Sequence, residues 1–166
     1  MILQSFIFLL GSILGSVLLL FVSYKFFKKI YLNILGISDQ LNLASSILIS
    51  TLLMSIGLHA SFAMGSVRNL IALQKSSEEP GFLAIAGYFT IFIMITIAIS
   101  FLINYLCFKF YHILTPEINE AEEIRSNNVP VALLVSSIII VSVCICREAF
   151  VMLLETLIPY PKLIYK

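Results

Sequence analysis

Three residues that can carry charge stand inside apolar runs of this chain. His59 lies in "ASSILISTLLMSIGLHASFAMGS", and Arg147 and Glu148 are neighbours in "VSVCICREAFVMLLE". Imidazole exchanges protons near neutral pH. A charge among apolar residues in a membrane is costly, and normally faces a bundle interior or a water-filled cavity. Such residues could select ions, pass protons or pair across helices. Adjacent helical residues point about 100° apart. Arg147 and Glu148 are therefore expected to meet partners on other helices or other copies of the chain, not each other.

Cys144 and Cys146 precede the pair, and His59 could add a third ligand for a thiophilic metal. Such a site needs converging thiolates. Residues two apart on a helix diverge by about 200°, and the sequence has no C-x-x-C. Both cysteines, and Cys107, read as small apolar filler, so no metal or cofactor is expected. His112, beside Tyr111, reads as a solvated loop histidine. The sequence contains no H-E-x-x-H, G-x-S-x-G or phosphate loop, and enzymatic activity is not expected.

The elements that must hold these residues follow from composition. The 166 residues are 60% hydrophobic and 11% charged, with a mean hydropathy of +1.07. A soluble domain of this size could not bury so much apolar surface. The expected solvent is the lipid bilayer. A net charge of +1 argues against a nucleic-acid surface, and three unpatterned cysteines do not make a disulfide framework.

About 20 apolar residues cross a bilayer as a helix. Four segments qualify, at about 5–24, 43–64, 81–108 and 131–154. The first has its lysines after the apolar run, not before it, so it reads as a retained helix and not a signal peptide. The expected fold is an all-α integral membrane bundle of four transmembrane helices, in one domain over 1–166.

Depth follows from helical rise. Arg147 lies about 24 Å beyond Val131, and His59 about 25 Å beyond the start of the second helix. His59, Arg147 and Glu148 are therefore expected in one layer, in the last third of a hydrocarbon core about 30 Å thick. Two readings stay open: a pore or gate layer, or anchors whose heads snorkel to the interface.

Small residues recur at Gly11 and Gly15 of the first helix, and at Ser50, Gly57, Ser61 and Gly65 of the second. In lipid, small residues let helix backbones approach closely. These six positions are the expected helix-packing face, toward the chain's own helices and a second copy. The last connector, "TPEINEAEEIRSNN", carries Glu117, Glu120, Glu122, Glu123 and Arg125. Thr115 and Pro116 suggest the start of a short interfacial helix. Its acidic face could dock a soluble protein partner or simply stay solvated.

The halves resemble each other. "YKFFKKIYLNI" from Tyr24 parallels "YLCFKFYHIL" from Tyr105, and "LNLASSILISTLLMSI" from Leu41 parallels "NNVPVALLVSSIIIVS" from Asn127. This pairs Asn42 with Asn128. Each repeat, about 5–73 and 81–158, would hold two spans. Both would share one orientation, about an axis along the membrane normal.

Carried by "LNLASSI" and "NNVPVAL", the pattern resembles the YjfL-like family of bacterial inner-membrane proteins, which has two tandem two-helix repeats. Pro130 replaces Ala44, and the fourth helix lacks the glycines usual in that family. The resemblance implies a fold and an inner-membrane location, not an activity. Lys25, Lys28 and Lys29 abut the first helix, which would put the first and third loops inside and both termini outside. The functional expectation is a homo-oligomeric ion channel or membrane-permeabilising effector, regulated by a soluble partner, with phage defence as an analogous setting. The alternatives are a non-conducting scaffold or accessory subunit and a proton-coupled transporter.

Overall fold

The structure is a computed structural model that describes residues 2–35, 41–75 and 82–158. Six helices make up nearly all of this: α1 (Ile2–Leu35), α2 (Leu43–Lys75), α3 (Phe82–Leu114), α4 (Glu120–Arg125), α5 (Val129–Ile145) and α6 (Arg147–Thr156). No strand occurs among the described residues. Long apolar runs in lipid satisfy their backbone groups internally, and a helix does so within one segment.

Two helices are long and apolar enough to cross a membrane: Leu43–Leu73 of α2 and Gly87–Leu114 of α3, with 31 and 28 residues. At 1.5 Å per residue each exceeds the hydrocarbon thickness of about 30 Å. The pair α5 and α6 makes a third if it is one span, because the two meet at 46°. The continuous helix expected over 131–154 is therefore broken at Cys146. Neither proline nor glycine stands at the break. Packing holds the new direction: Phe150 and Leu154 of α6 join a buried cluster with Ala63, Val67 and Leu70 of α2. The expected first span lies in α1, and the side chains of residues 2–5 are outside the described residues.

α2 is the centre of the bundle and packs on every other helix, most extensively on α5. One cluster fills the end near the α2 and α5 N-termini, with Leu48, Leu52 and Ile56 against Val135, Ile139 and Val143. The cluster of α2, α3 and α6 fills the other end.

Asparagines join the elements at the first end. Asn42 Oδ1 accepts from Ser45 N at 2.7 Å, and Asn128 Oδ1 accepts from Val131 N at 3.4 Å. The two residues paired by the duplication thus cap equivalent helices at equivalent positions. Asn127, with φ 67°, ends α4. Its N–H donates to Ile124 O, and Asn128 N–H donates to Glu123 O, which is a Schellman termination. Asn127 Oδ1 also accepts from Ala44 N at 3.0 Å, while Asn42 Nδ2 donates to Ile124 O at 2.8 Å and Arg125 O at 3.0 Å. The start of α2 is clasped to the end of α4.

The short helix begins later than expected, at Glu120, with Asn119 as its cap. Thr115 does not cap forward. Its hydroxyl donates back to Tyr111 O at 2.8 Å and closes α3.

Candidate functional site

A polar seam crosses the interface of α2 and α3 where the two apolar clusters meet. On α3, Thr96, Ser100 and Asn104 recur every fourth residue and share one face. On α2, Ser55 and His59 do the same. Ser55, His59, Ser100 and Asn104 are fully buried, and Thr96 is nearly so. The helices run antiparallel, so one turn forward on α2 meets one turn back on α3. Ser55 Oγ donates to Asn104 Oδ1 at 3.0 Å. One turn on, His59 Nδ1 lies 3.0 Å from Ser100 Oγ.

The hydrogen bonds assign the imidazole tautomer. Nδ1 lies 3.0 Å from Ser55 O, which can only accept. The single proton of Ser100 Oγ is directed to Thr96 O at 2.7 Å. Nδ1 therefore carries the proton, and Nε2 presents a lone pair. That Nε2 is buried without a hydrogen-bond partner, as are Asn104 Nδ2, Ser66 Oγ and Ser136 Oγ. Leaving such a group unpaired costs about 1–3 kcal/mol. Two of the four belong to the seam. The aromatic walls are Phe150 of α6, with ring centroid 5.1 Å from that of His59 at 80°, and Phe62 at 6.3 Å and 72°.

His59 thus lies at the centre of the site, while Arg147 and Glu148 lie at its edge. The Arg147 guanidinium sits over the Phe62 ring at 5.2 Å, so it shares that neighbour with His59. Its side chain is 59% exposed and that of Glu148 is 83% exposed. The two were expected to point apart. Instead Arg147 Nε approaches Glu148 Oε1 to 3.8 Å. An exposed pair at that distance contributes little to stability.

The small residues do not pack within the chain's own bundle. A Cβ on Gly15, Gly57 or Gly65 would meet nothing within 4 Å, and Ser50 and Ser61 are exposed. The surroundings of Gly11 lie outside the described residues. The face of α2 that packs internally is the other polar one, with Ser45, Thr51, Ser55, His59 and Ser66.

The acidic connector divides in two. Glu120 is buried and bonds His112 Nδ1 at 3.1 Å and Thr115 Oγ1 at 3.3 Å. His112 is therefore tied to α4, although its side chain is 63% exposed. Glu123 accepts from Asn128 Nδ2 at 2.6 Å. Glu117, Glu122 and Arg125 are exposed. Cys144 is exposed, Cys146 half-buried and Cys107 buried. No three His, Cys, Asp or Glu side chains converge on a metal position among the described residues.

The sequence reading found His59 but missed Thr96, Ser100 and Asn104. Their signal was a polar residue every four positions in "TIAISFLIN", an otherwise apolar stretch.

These features define an all-helical protein with two or three membrane-capable helices and a buried polar seam between two of them. The model of a family described as Domain of Unknown Function (DUF350) matches residues 1–150, and the chain belongs to that family. The matched range contains the whole seam and the break at Cys146. No curated protein and no solved structure matches the chain.

Proposed function

We propose that this chain is a non-enzymatic ion channel of the bacterial inner membrane. Four spans form two parallel repeats, with α1 as the first span and α5 with α6 as a broken fourth. The YjfL-like relationship belongs to the same reading, as do termini outside the cell and assembly as a homo-oligomer. The observation that supports conduction is the seam. An ionisable side chain buried within membrane helices, here His59, marks a pathway more often than it serves packing, and hydroxyl, amide and imidazole groups can line one. The small-residue stripe through Gly57 and Gly65 is open to a neighbouring copy. Regulation would come from a soluble partner at the exposed Glu117, Glu122 and Arg125, and membrane permeabilisation in phage defence is one setting for such a device.

The test is ion flux in proteoliposomes, with K⁺, Cl⁻ and H⁺ followed separately. Conduction by the wild type that falls in Ser100→Ala, with assembly intact, supports a channel. The absence of flux of any ion, with or without a pH step, returns the chain to the second reading. That reading is a scaffold or accessory subunit, and the exposed acidic connector favours it. Saturable flux coupled to a pH gradient would make it a transporter.

A further inference from the structure

The seam holds one group that can gain and lose a proton, and one nitrogen of that group has no partner. We infer that His59 Nε2 is a proton-binding site, and that the species this seam takes is the proton. This rests on reading the seam as a membrane path. Nδ1–H is already committed to Ser55 O and Ser100 Oγ, both at 3.0 Å. Nε2 is the free lone pair, buried and without a partner. In the binding step a hydronium ion gives its proton to Nε2. An N–H bond forms, an O–H bond breaks and water remains. Reversal of the step releases the proton.

The imidazolium would keep both oxygen contacts at Nδ1. Phe150 closes the other side, with its ring centroid at 5.1 Å.

The helices packed around His59 carry few charges. α2 has Arg68 and Lys75, α3 has Lys109 and His112, and α6 has Arg147, Glu148 and Glu155. Of these, only Arg147 shares a neighbour with the imidazole, across Phe62. No carboxylate pairs with His59 among the described residues, since the ion pairs there are His112–Glu120 and Arg147–Glu148. The bound proton is therefore not neutralised in place and is free to leave.

The chain has two histidines, which makes a direct test practical. ¹⁵N-histidine protein carrying His112→Gln, in lipid bilayers, gives one imidazole to follow by solid-state NMR. Between about pH 8 and about pH 4, Nε2 should change from the unprotonated to the protonated signal. Nδ1 should stay protonated throughout. Proton flux in His59→Asn, which keeps a donor toward Ser55 O, should fall at least about tenfold. A Nε2 signal that stays unprotonated over the whole range overturns the inference, whatever the flux. Conduction of K⁺ or Cl⁻ would in that case leave the channel reading standing. A titrating Nε2 without flux of any ion has the opposite meaning: the proton site stands and the channel falls.

Discussion

Replacing Asn104 with leucine separates a seam kept for function from one kept for stability. The substitution keeps the number and branching of the side-chain heavy atoms, so it opens no cavity. It removes the bond from Ser55 Oγ to Asn104 Oδ1. Side-chain hydrogen bonds between membrane helices contribute about 0.6 kcal/mol on average and at most about 1.7. The freed Ser55 hydroxyl can turn to a carbonyl one turn earlier on its own helix, which limits the loss. The same change removes Asn104 Nδ2, a buried donor without a partner, whose cost is about 1–3 kcal/mol. The balance lies between a loss of about 1 kcal/mol and a stabilisation of about 2 kcal/mol. Ion flux should nevertheless fall, because the path loses a polar wall. Stability is read from reversible unfolding in mixed micelles by far-ultraviolet circular dichroism, since the chain has no tryptophan. A loss of more than about 2 kcal/mol with flux unchanged would make Asn104 a structural residue and refute the reasoning.

Three further outcomes are expected. Asn42→Ala loses a cap worth about 1 kcal/mol and two hydrogen bonds to α4 worth about 0.5–1.5 each. Asn42→Asp keeps the cap but sets a carboxylate oxygen against the Ile124 and Arg125 carbonyls, so it should also destabilise; in the same unfolding assay, an Asn42→Asp chain as stable as the wild type would dismantle the clasp. Glu120→Ala should destabilise by about 1–2 kcal/mol, and exposed Glu122→Ala by no more than about 0.5; equal losses would deny Glu120 its internal role. Gly65→Leu should leave the fold of the single chain intact, because the space beside Gly65 is open, and should disrupt oligomers seen by cross-linking in membranes. Unchanged oligomers would mean that this stripe faces lipid.

The asparagine doublet shows how far local sequence reaches. The alignment of Asn42 with Asn128 came from the repeat alone, and both residues cap a helix through contacts three residues ahead. Such bonds depend on neighbouring residues, so the sequence contains them. The clasp from Asn42 to Ile124 and Arg125 joins residues more than 80 positions apart, and no local pattern announces it. The forward cap expected at Thr115 failed. The short helix starts at Glu120 with Asn119 accepting from Glu122 N, so no helical N–H follows Thr115 for its oxygen to accept from.

By itself the sequence determined that the chain is helical and suited to lipid, because hydropathy and composition act through solvent and need no partner. It also determined the polar positions available to a site. Tertiary structure decided which of them count. Helix rise alone placed His59 and Arg147 at similar depth, and depth does not tell which way a side chain turns. Packing of Phe150 and Leu154 against α2 goes with the 46° bend between α5 and α6, and Arg147 and Glu148 are left exposed. Antiparallel pairing of α2 and α3 sets Ser55 against Asn104 and His59 against Ser100. A buried site between two helices depends on their register, and register exists only once the helices meet.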